Sequence, residues 1–332
     1  MHTNMFSIRS RKTMLNTLLD FSHTKLTLRR SLWSYSKVQY LYRLVNGIRI
    51  PDLRYGTTRN VFKKGGNVFC DYVSYHNHGI YSNVSTALED IVTLYRAGIN
   101  VNRIDYSAGM NWFKDEIGKD VYPEFFGNLK SGILDIPTKL TFNAFDVHKI
   151  YKQLPLYDLC RAASILFYPS SSVLNMANAM ITSSGVSPER SIAIIYRGTD
   201  KSSEVRPASV QEYIRVATEI LQEGATDLDI VIQTDQEQAR DEIIANFRGR
   251  CRFFNELPVT RGSTAIHKLE FGTEIMMGRE EFAKRMMAAV IILSRCAYVI
   301  THTGNVGAWI AIYRGTSKNL YQFDANAQVQ TP

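Results

Sequence analysis

Cysteine is scarce and scattered. Cys70, Cys160, Cys251 and Cys296 are the four in 332 residues, with no CxxC pair and no histidine cluster at ligand spacing. That pattern excludes a disulfide framework, argues against a zinc site and makes a reducing compartment the default. Long apolar runs are missing as well: nothing approaches the roughly 20 residues that cross a bilayer. The basic start is not followed by an apolar core, so no signal peptide is expected. No DxD pair stands at the end of a strand-like run, which agrees with chemistry that needs no divalent metal.

Acidic residues are nearly absent from the first 65 positions. Thirteen Lys or Arg stand there against Asp20 and Asp52, a net +11, whereas the rest of the chain sums to −3, so the overall +8 is an N-terminal property. Across 26–44, Leu28, Leu32, Trp33, Tyr35, Val38, Tyr40, Leu41 and Leu44 alternate with Arg29, Arg30, Lys37 and Arg43 in a helix-like pattern. Such a segment packs on its own protein with a solvated basic face, lies on an anionic membrane surface, or contacts nucleic acid. The first is the commonest outcome, and of the outside partners the membrane surface is favoured over nucleic acid. A cytoplasmic location with peripheral membrane contact through 1–65 is the resulting expectation.

What the chain has in quantity is apolar and aromatic residues, 45% hydrophobic with 16 Phe and 18 Tyr, which excludes wholesale disorder. Its length suits two domains plus an extension. The boundaries read as a basic extension over 1–65, an α/β domain with bridging helices over 66–182, and a second α/β domain over 183–332. A loop at 54–66 ends the extension. A strand at 67–75, the polar loop HNHGIYSN at 76–83, an amphipathic helix at 84–97 stopped by Gly98 and a strand at 101–106 make a strand–helix–strand unit. His78, Gly79 and Tyr81 in that loop are candidates for acceptor contact. His76 and His78 lack the third ligand that a metal would need, so metal is not expected. The stretch 113–155 is poorly periodic. Helices follow at 156–167 and 170–182, with Ser170 to Ser172 offering an N-cap and the pair expected to bridge the domains.

From Ser191 the alternation is regular. Strands at 191–196, 229–234, 251–254, 298–301 and 319–323 alternate with helices at 208–222, 237–247, 279–295 and 305–314, which predicts a parallel, doubly wound sheet. Three strand ends carry chemistry. The first runs from the buried IAIIY into Arg197, Gly198, Thr199, Asp200, Lys201 and Glu204, where a guanidinium fork and an ammonium suit phosphate oxygens and a carboxylate suits a substrate proton. The second delivers Thr234 and Asp235. The third delivers His302, Thr303, Gly304 and Asn305, where Thr303 can cap a helix and Gly304 can let backbone N–H groups approach an anion. The competing reading is an ion-paired strand-to-loop turn with a structural histidine.

IIYRGTDKSSEV resembles the H-x-R-R-x-D-K-x-x-x-E segment of the alpha-1,6-fucosyltransferases, including the bacterial nodulation enzymes, within the GT-B fucosyltransferase superfamily. QTDQ looks like the family's A-T-D-D, and LSRCAYVITHTGNVGAW looks like its L-S-x-A-D-x-x-V-x-T-x-S-S-x segment. The resemblance covers about 183–323 and, weakly, HNHGIYSN. It implies a GT-B-like α/β fold of two Rossmann-like domains, with the donor domain C-terminal. It further implies inverting, metal-independent transfer of a sugar, fucose favoured, from a nucleoside diphosphate, GDP favoured, to a glycan hydroxyl, with no cofactor beyond the nucleotide sugar. Arg197 matches the arginine that contacts the donor pyrophosphate, Asp200 and Lys201 match the acid and lysine beside the reaction centre, and Glu204 would be the base, with Asp200 as the fallback. The chain departs from the family at Gly198 for the second arginine, Ile195 for the histidine, and Ala289 for the guanine-reading aspartate. Glu204 also lies one position nearer the lysine. Transfer of another sugar such as xylose from a UDP donor therefore stays open, as does a non-catalytic binding protein anchored by its basic N-terminus.

Overall fold

The computed structural model describes residues 46–127, 129, 136–137, 139–199, 208–262 and 264–332. The basic pattern at 26–44 lies outside them. Among the described residues the first element is a strand, β1 (Gly56–Lys64), where a loop was expected. Thr58 and Val61 turn inward while Thr57 and Lys63 stay exposed. Gly65 and Gly66, both left-handed at φ +57° and +82°, close a two-residue hairpin onto β2 (Asn67–Ser74). A Gly-Gly pair between two β-like runs is a hairpin signal, and it places the expected 65/66 boundary inside a sheet. Helix α1 (Ile80–Arg96) leads to β3 (Ile99–Asp105), parallel to β2, for a sheet ordered β1-β2-β3. Its helix begins four residues before the expected start because Asn83 Nδ2 binds the carbonyls of His78 and Gly79 at 2.7 and 3.0 Å, tying down the first turn.

Residues 54 and 55 are fastened to this unit by one buried carboxylate. Asp90 accepts the N–H groups of Arg54 and Tyr55 at 2.9 and 3.0 Å and the hydroxyl of Tyr72 at 3.0 Å. Burial raises its pKa, against the pull of those three donors.

After α2 (Tyr122–Phe125) come α3 (Leu156–Leu166) and α4 (Ser171–Ser184), the latter capped by Ser170, whose Oγ accepts from Val173 N at 3.3 Å. The second sheet then runs β4 (Ser191–Tyr196), α5 (Val210–Gln222), β5 (Asp229–Thr234), α6 (Glu237–Asn246), β6 (Cys251–Phe253), α7 (Arg279–Ser294), β7 (Tyr298–His302), α8 (Asn305–Arg314), β8 (Leu320–Phe323) and β9 (Val329–Gln330). Its spatial order is β6-β5-β4-β7-β8-β9, parallel except for the final antiparallel strand. That is the doubly wound order, with its switch point between β4 and β7. The α/β class and the parallel C-terminal sheet are as the sequence predicts; the N-terminal sheet is the smaller, with a single strand–helix–strand crossover.

Alternation along β4 shows why the sheet is covered on both sides. Ile192 and Ile194 join an apolar cluster with Tyr213, Ala217 and Ile243 of α5 and α6, while Ala193 and Ile195 join the larger cluster with α7 and α8. The larger cluster continues into the N-terminal sheet through Trp309, fully buried against Tyr81, Phe167 and Tyr313. Charges line the outer seam: Lys119 Nζ meets Glu280 Oε2 at 2.6 Å and Lys284 Nζ meets Glu124 Oε2 at 2.9 Å. As partly exposed pairs they contribute little beside the buried aromatics.

Helix α8 lies close to β7 because Gly307 has no side chain. A Cβ there would come within 2.6 Å of His302 O and 2.7 Å of the Tyr151 hydroxyl. Alanine normally favours a helix over glycine by about 1 kcal/mol, but overlap with backbone reverses the sign. Gly307→Ala is expected to destabilise by about 1–3 kcal/mol, read as a lower urea midpoint at unchanged slope; a midpoint at or above that of the parent would contradict the packing.

Candidate functional site

The three strand ends that carry the sequence motifs are neighbours in space. Tyr196 faces Thr234 across β4 and β5, and the β4–β7 register, with Ile194 beside Ile300, brings the ends of those strands together at the same edge. Parallel pairing therefore puts Arg197, Asp235 and His302 along one carboxyl edge, at strand spacings of about 4.8 Å.

Asp235 organises the β4 end. Its Oδ1 accepts the Gly198 N–H at 3.0 Å, its Oδ2 accepts the Thr199 hydroxyl at 2.6 Å, and Arg197 Nε lies 3.6 Å from Oδ2. The Arg197 side chain is 37% exposed, so the carboxylate holds a guanidinium at the rim of the sheet and not in its interior. Thr199 and Asp235 are buried, and the Thr199 hydroxyl, expected among the donor-binding groups, is given to the Asp235 carboxylate. A Cβ at 198 would crowd the Gln236 amide and the Tyr196 ring, so a larger residue there needs those side chains to move. Asp200, Lys201 and Glu204 lie outside the described residues.

At the β7 end the structure corrects two expectations. Thr303 is completely buried and does not cap α8; Gly304 holds the N-cap position with no side-chain cap. The Gly304 N–H, expected to face a ligand, is satisfied inside the protein by Val147 O at 3.1 Å and the Tyr151 hydroxyl at 3.0 Å. Gly304 is nonetheless needed for its backbone, at φ +139°. The N–H groups of Asn305, Val306 and Gly307 open the helix and have no i−4 carbonyl within it. Tyr151 was not anticipated: it sits in the poorly periodic stretch, where no pattern marks it. Its hydroxyl also lies 3.0 Å from His302 O and 2.9 Å from Gly304 O, binding both sides of the turn.

Asn305 ties this turn to the N-terminal unit. Its side chain lies 2.9 Å from Ser85 Oγ, which in turn accepts Trp309 Nε1 at 2.9 Å. Ser85 and Gly307 were likewise missed, although the G-x-x-G spacing of Gly304 and Gly307 after a strand is a readable signal for close helix packing. Tyr81, expected on the acceptor side, is buried to 4% exposure and stacks on Trp309, because its position in the first turn of α1 faces the core. His78 and Gly79 are exposed at the start of α1. Ala289, 1% exposed, packs within α7.

The His76 and His78 rings meet at a 37° tilt with centroids 4.4 Å apart, and His76 Nε2 lies 3.2 Å from Ser82 Oγ. Burial, reinforced by the neighbouring His78, pulls the His76 pKa from its ordinary 6.5 down to about 4. No group of three or more His, Cys, Asp or Glu among the described residues is arranged to hold a metal ion.

No protein-family model and no curated protein sequence matches the chain. Solved structures do. The fucosyltransferase NodZ from Bradyrhizobium is 14% identical with a TM-score of 0.46, over 77% of this chain and 97% of that one. A selenomethionine crystal form of NodZ gives 14% and 0.44 over the same shares. A mutant of Arabidopsis thaliana FUT1 in complex with GDP is 9% identical with a TM-score of 0.33, over 97% of this chain and 68% of that one.

Two measurements check the local physics. Asp235→Ala strands the buried Thr199 hydroxyl and the half-buried Gly198 N–H, and a buried donor left unpaired costs about 1–3 kcal/mol; a loss of that order in urea unfolding is expected, and a change below about 0.5 kcal/mol would remove Asp235 from its organising role. The depressed His76 pKa means the unfolded chain takes up this proton first. Its contribution is present above pH 6.5 and lost as pH falls towards 4. The His76 C2–H resonance should titrate near pH 4, and His76→Asn should flatten the decline in melting temperature over that window; titration near 6.5 would contradict it.

Proposed function

We propose that this chain is a glycosyltransferase that moves a sugar from a nucleoside diphosphate donor to a glycan hydroxyl. The observation that carries the reading is the pairing, across the β4–β7 switch point of a doubly wound sheet, of a rim guanidinium held by Asp235 with the opening N–H groups of α8. Ligands of such sheets bind outside the carboxyl ends of the strands at that point, and both groups suit a diphosphate.

The chemistry follows from where charge develops. The acceptor oxygen loses its proton to a base and attacks the anomeric carbon from the face opposite the diphosphate. The C1–O bond to phosphate then breaks and the configuration inverts. Positive charge grows on the ring and negative charge on the leaving diphosphate, so Arg197, Lys201 and the N–H groups of Asn305 to Gly307 act most strongly in the transition state. Glu204 is proposed as the base, with Asp200 as the fallback, on the motif resemblance. No metal is invoked: the leaving charge is met by cations and N–H groups of the protein itself. GDP and fucose are the favoured donor base and sugar on the same resemblance, with a UDP-sugar as the alternative, and His78 and Gly79 are proposed on the acceptor side. An anionic membrane surface is proposed as the partner of the basic residues 1–65. Among the described residues no helix is long and apolar enough to cross a membrane.

Thermal shift with GDP and UDP, followed by hydrolysis assays with GDP-fucose and UDP-xylose, tests this. A ligand at 100 times its dissociation constant stabilises by about 2.7 kcal/mol. Arg197→Ala should lose the shift and at least a hundredfold in turnover, about 3 kcal/mol, while Glu204→Gln should keep the shift and lose turnover. Binding without turnover in the unaltered protein favours the non-catalytic reading; no shift with either nucleotide removes the proposal.

A further inference from the structure

The two most exposed large apolar side chains among the described residues are Ile117 and Met276, at 88% and 81%. One contact brings their segments together. Asp115 Oδ1 accepts the Arg279 N–H at 2.7 Å, which holds the loop after β3 against the start of α7, two positions from Ile117 and three from Met276. Behind them three rings form a fixed cluster: Trp112 lies 5.0 Å from Phe271 and 5.6 Å from Phe282, centre to centre. The Arg279 guanidinium lies 4.6 Å from the centre of the Phe271 ring and donates to Trp112 O at 3.1 Å. Trp112, Phe271 and Arg279 are each partly exposed.

A single exposed apolar side chain is ordinary, but two of them around a tryptophan, a phenylalanine and an arginine make a patch. Trp, Phe, Met and Arg are the residues enriched where proteins bind one another. The rim fixes the charge of the occupant. Asp115, Glu116, Glu270 and Glu274 are exposed there, and Lys268 is the exposed lysine beside them. The Lys119 ammonium is held by Glu280 at 2.6 Å, and Arg279 is committed to the rings. An apolar patch with an acidic rim repels an anionic lipid surface and fits a basic chain that carries apolar and aromatic side chains.

This protein carries such a chain. Residues 26–44 set Leu28, Leu32, Trp33, Tyr40 and Leu41 among Arg29, Arg30, Lys37 and Arg43 and contain no acid. Their reach is sufficient. Lys63 Nζ donates to Asn46 O at 3.1 Å, so the chain enters the described body beside β1 near its hairpin. From there the patch lies the length of β3 away, seven residues or about 23 Å, and one loop beyond. Nineteen residues, 26–44, span about 28 Å as a helix and more when extended. A covalent tether of this kind gives an effective concentration on the order of millimolar, so weak contacts suffice.

We infer that residues 26–44 dock on the acid-rimmed patch around Ile117 and Met276, with their cations against Asp115, Glu116, Glu270 and Glu274. One side of the patch belongs to the loop after β3 and the other to the start of α7, so the docked segment clasps the N-terminal sheet to the C-terminal one. The docking stands apart from the glycosyltransferase reading, and it makes the patch a competitor of an anionic membrane for the same cations.

Carbodiimide cross-linking of an equal mixture of unlabelled and isotope-labelled full chains, read by mass spectrometry, tests this together with hydrogen exchange. Lys25 or Lys37 should join to Asp115, Glu116, Glu270 or Glu274 within one chain. The amides of 115–118 and 270–277 should exchange severalfold faster in Trp33→Asp than in the unaltered protein, while those of β4, β5 and β7 keep their rates. Arg29→Glu combined with Arg30→Glu should do the same if Trp33→Asp fails to fold. Cross-links found only between labelled and unlabelled chains would make the patch an interface between copies and overturn the docking. So would the absence of these cross-links, or exchange at the patch that neither variant alters.

Discussion

Parallel hydrogen bonding of β5 to β4 and of β4 to β7 is the constraint from which the rest follows. Parallel neighbours cannot be joined by a tight turn, so each strand must return through a helix, and every carboxyl end must emerge at one edge. Because β5 and β6 lie to one side of β4 and β7 and β8 to the other, a gap opens where the winding reverses. Arg197, Asp235 and His302, separated by 38 and 67 positions in the numbering, become neighbours for this reason and no other.

Within that frame the polar network serves geometry before chemistry. Asp235 spends its acceptors on Gly198, Thr199 and Arg197. Tyr151 spends its hydroxyl on the turn after β7. In both cases a buried polar side chain is satisfied largely by the backbone of the turn it supports, so the turn and the side chain hold each other in place.

The second sheet was legible from the amino-acid order to within a residue or two at most boundaries, because strands buried on both faces write continuous apolar runs separated by segments of helical length. Ser191–Tyr196, Asp229–Thr234 and Asn305–Arg314 fall where periodicity puts them. The hairpin strand Gly56–Lys64 was hidden because its charges, Arg59, Lys63 and Lys64, resemble the basic stretch before it. At the site, residue types were readable but orientation was not. Nothing local tells that Thr303 turns inward, that Tyr81 stacks on Trp309, or that a tyrosine 153 positions away from Gly304 takes up its N–H. Those outcomes depend on which element packs behind each turn, and that information is tertiary.

The fastening of Arg54 and Tyr55 to Asp90 has a practical side. A protease working from the N-terminal side meets Ile48, Ile50 and Leu53 already packed against the core before it reaches that pair. If it cuts past Tyr55, a carboxylate in the middle of the first helix keeps only the Tyr72 hydroxyl for company. The folded body therefore depends on a pair of main-chain amides that immediately precede the first described strand.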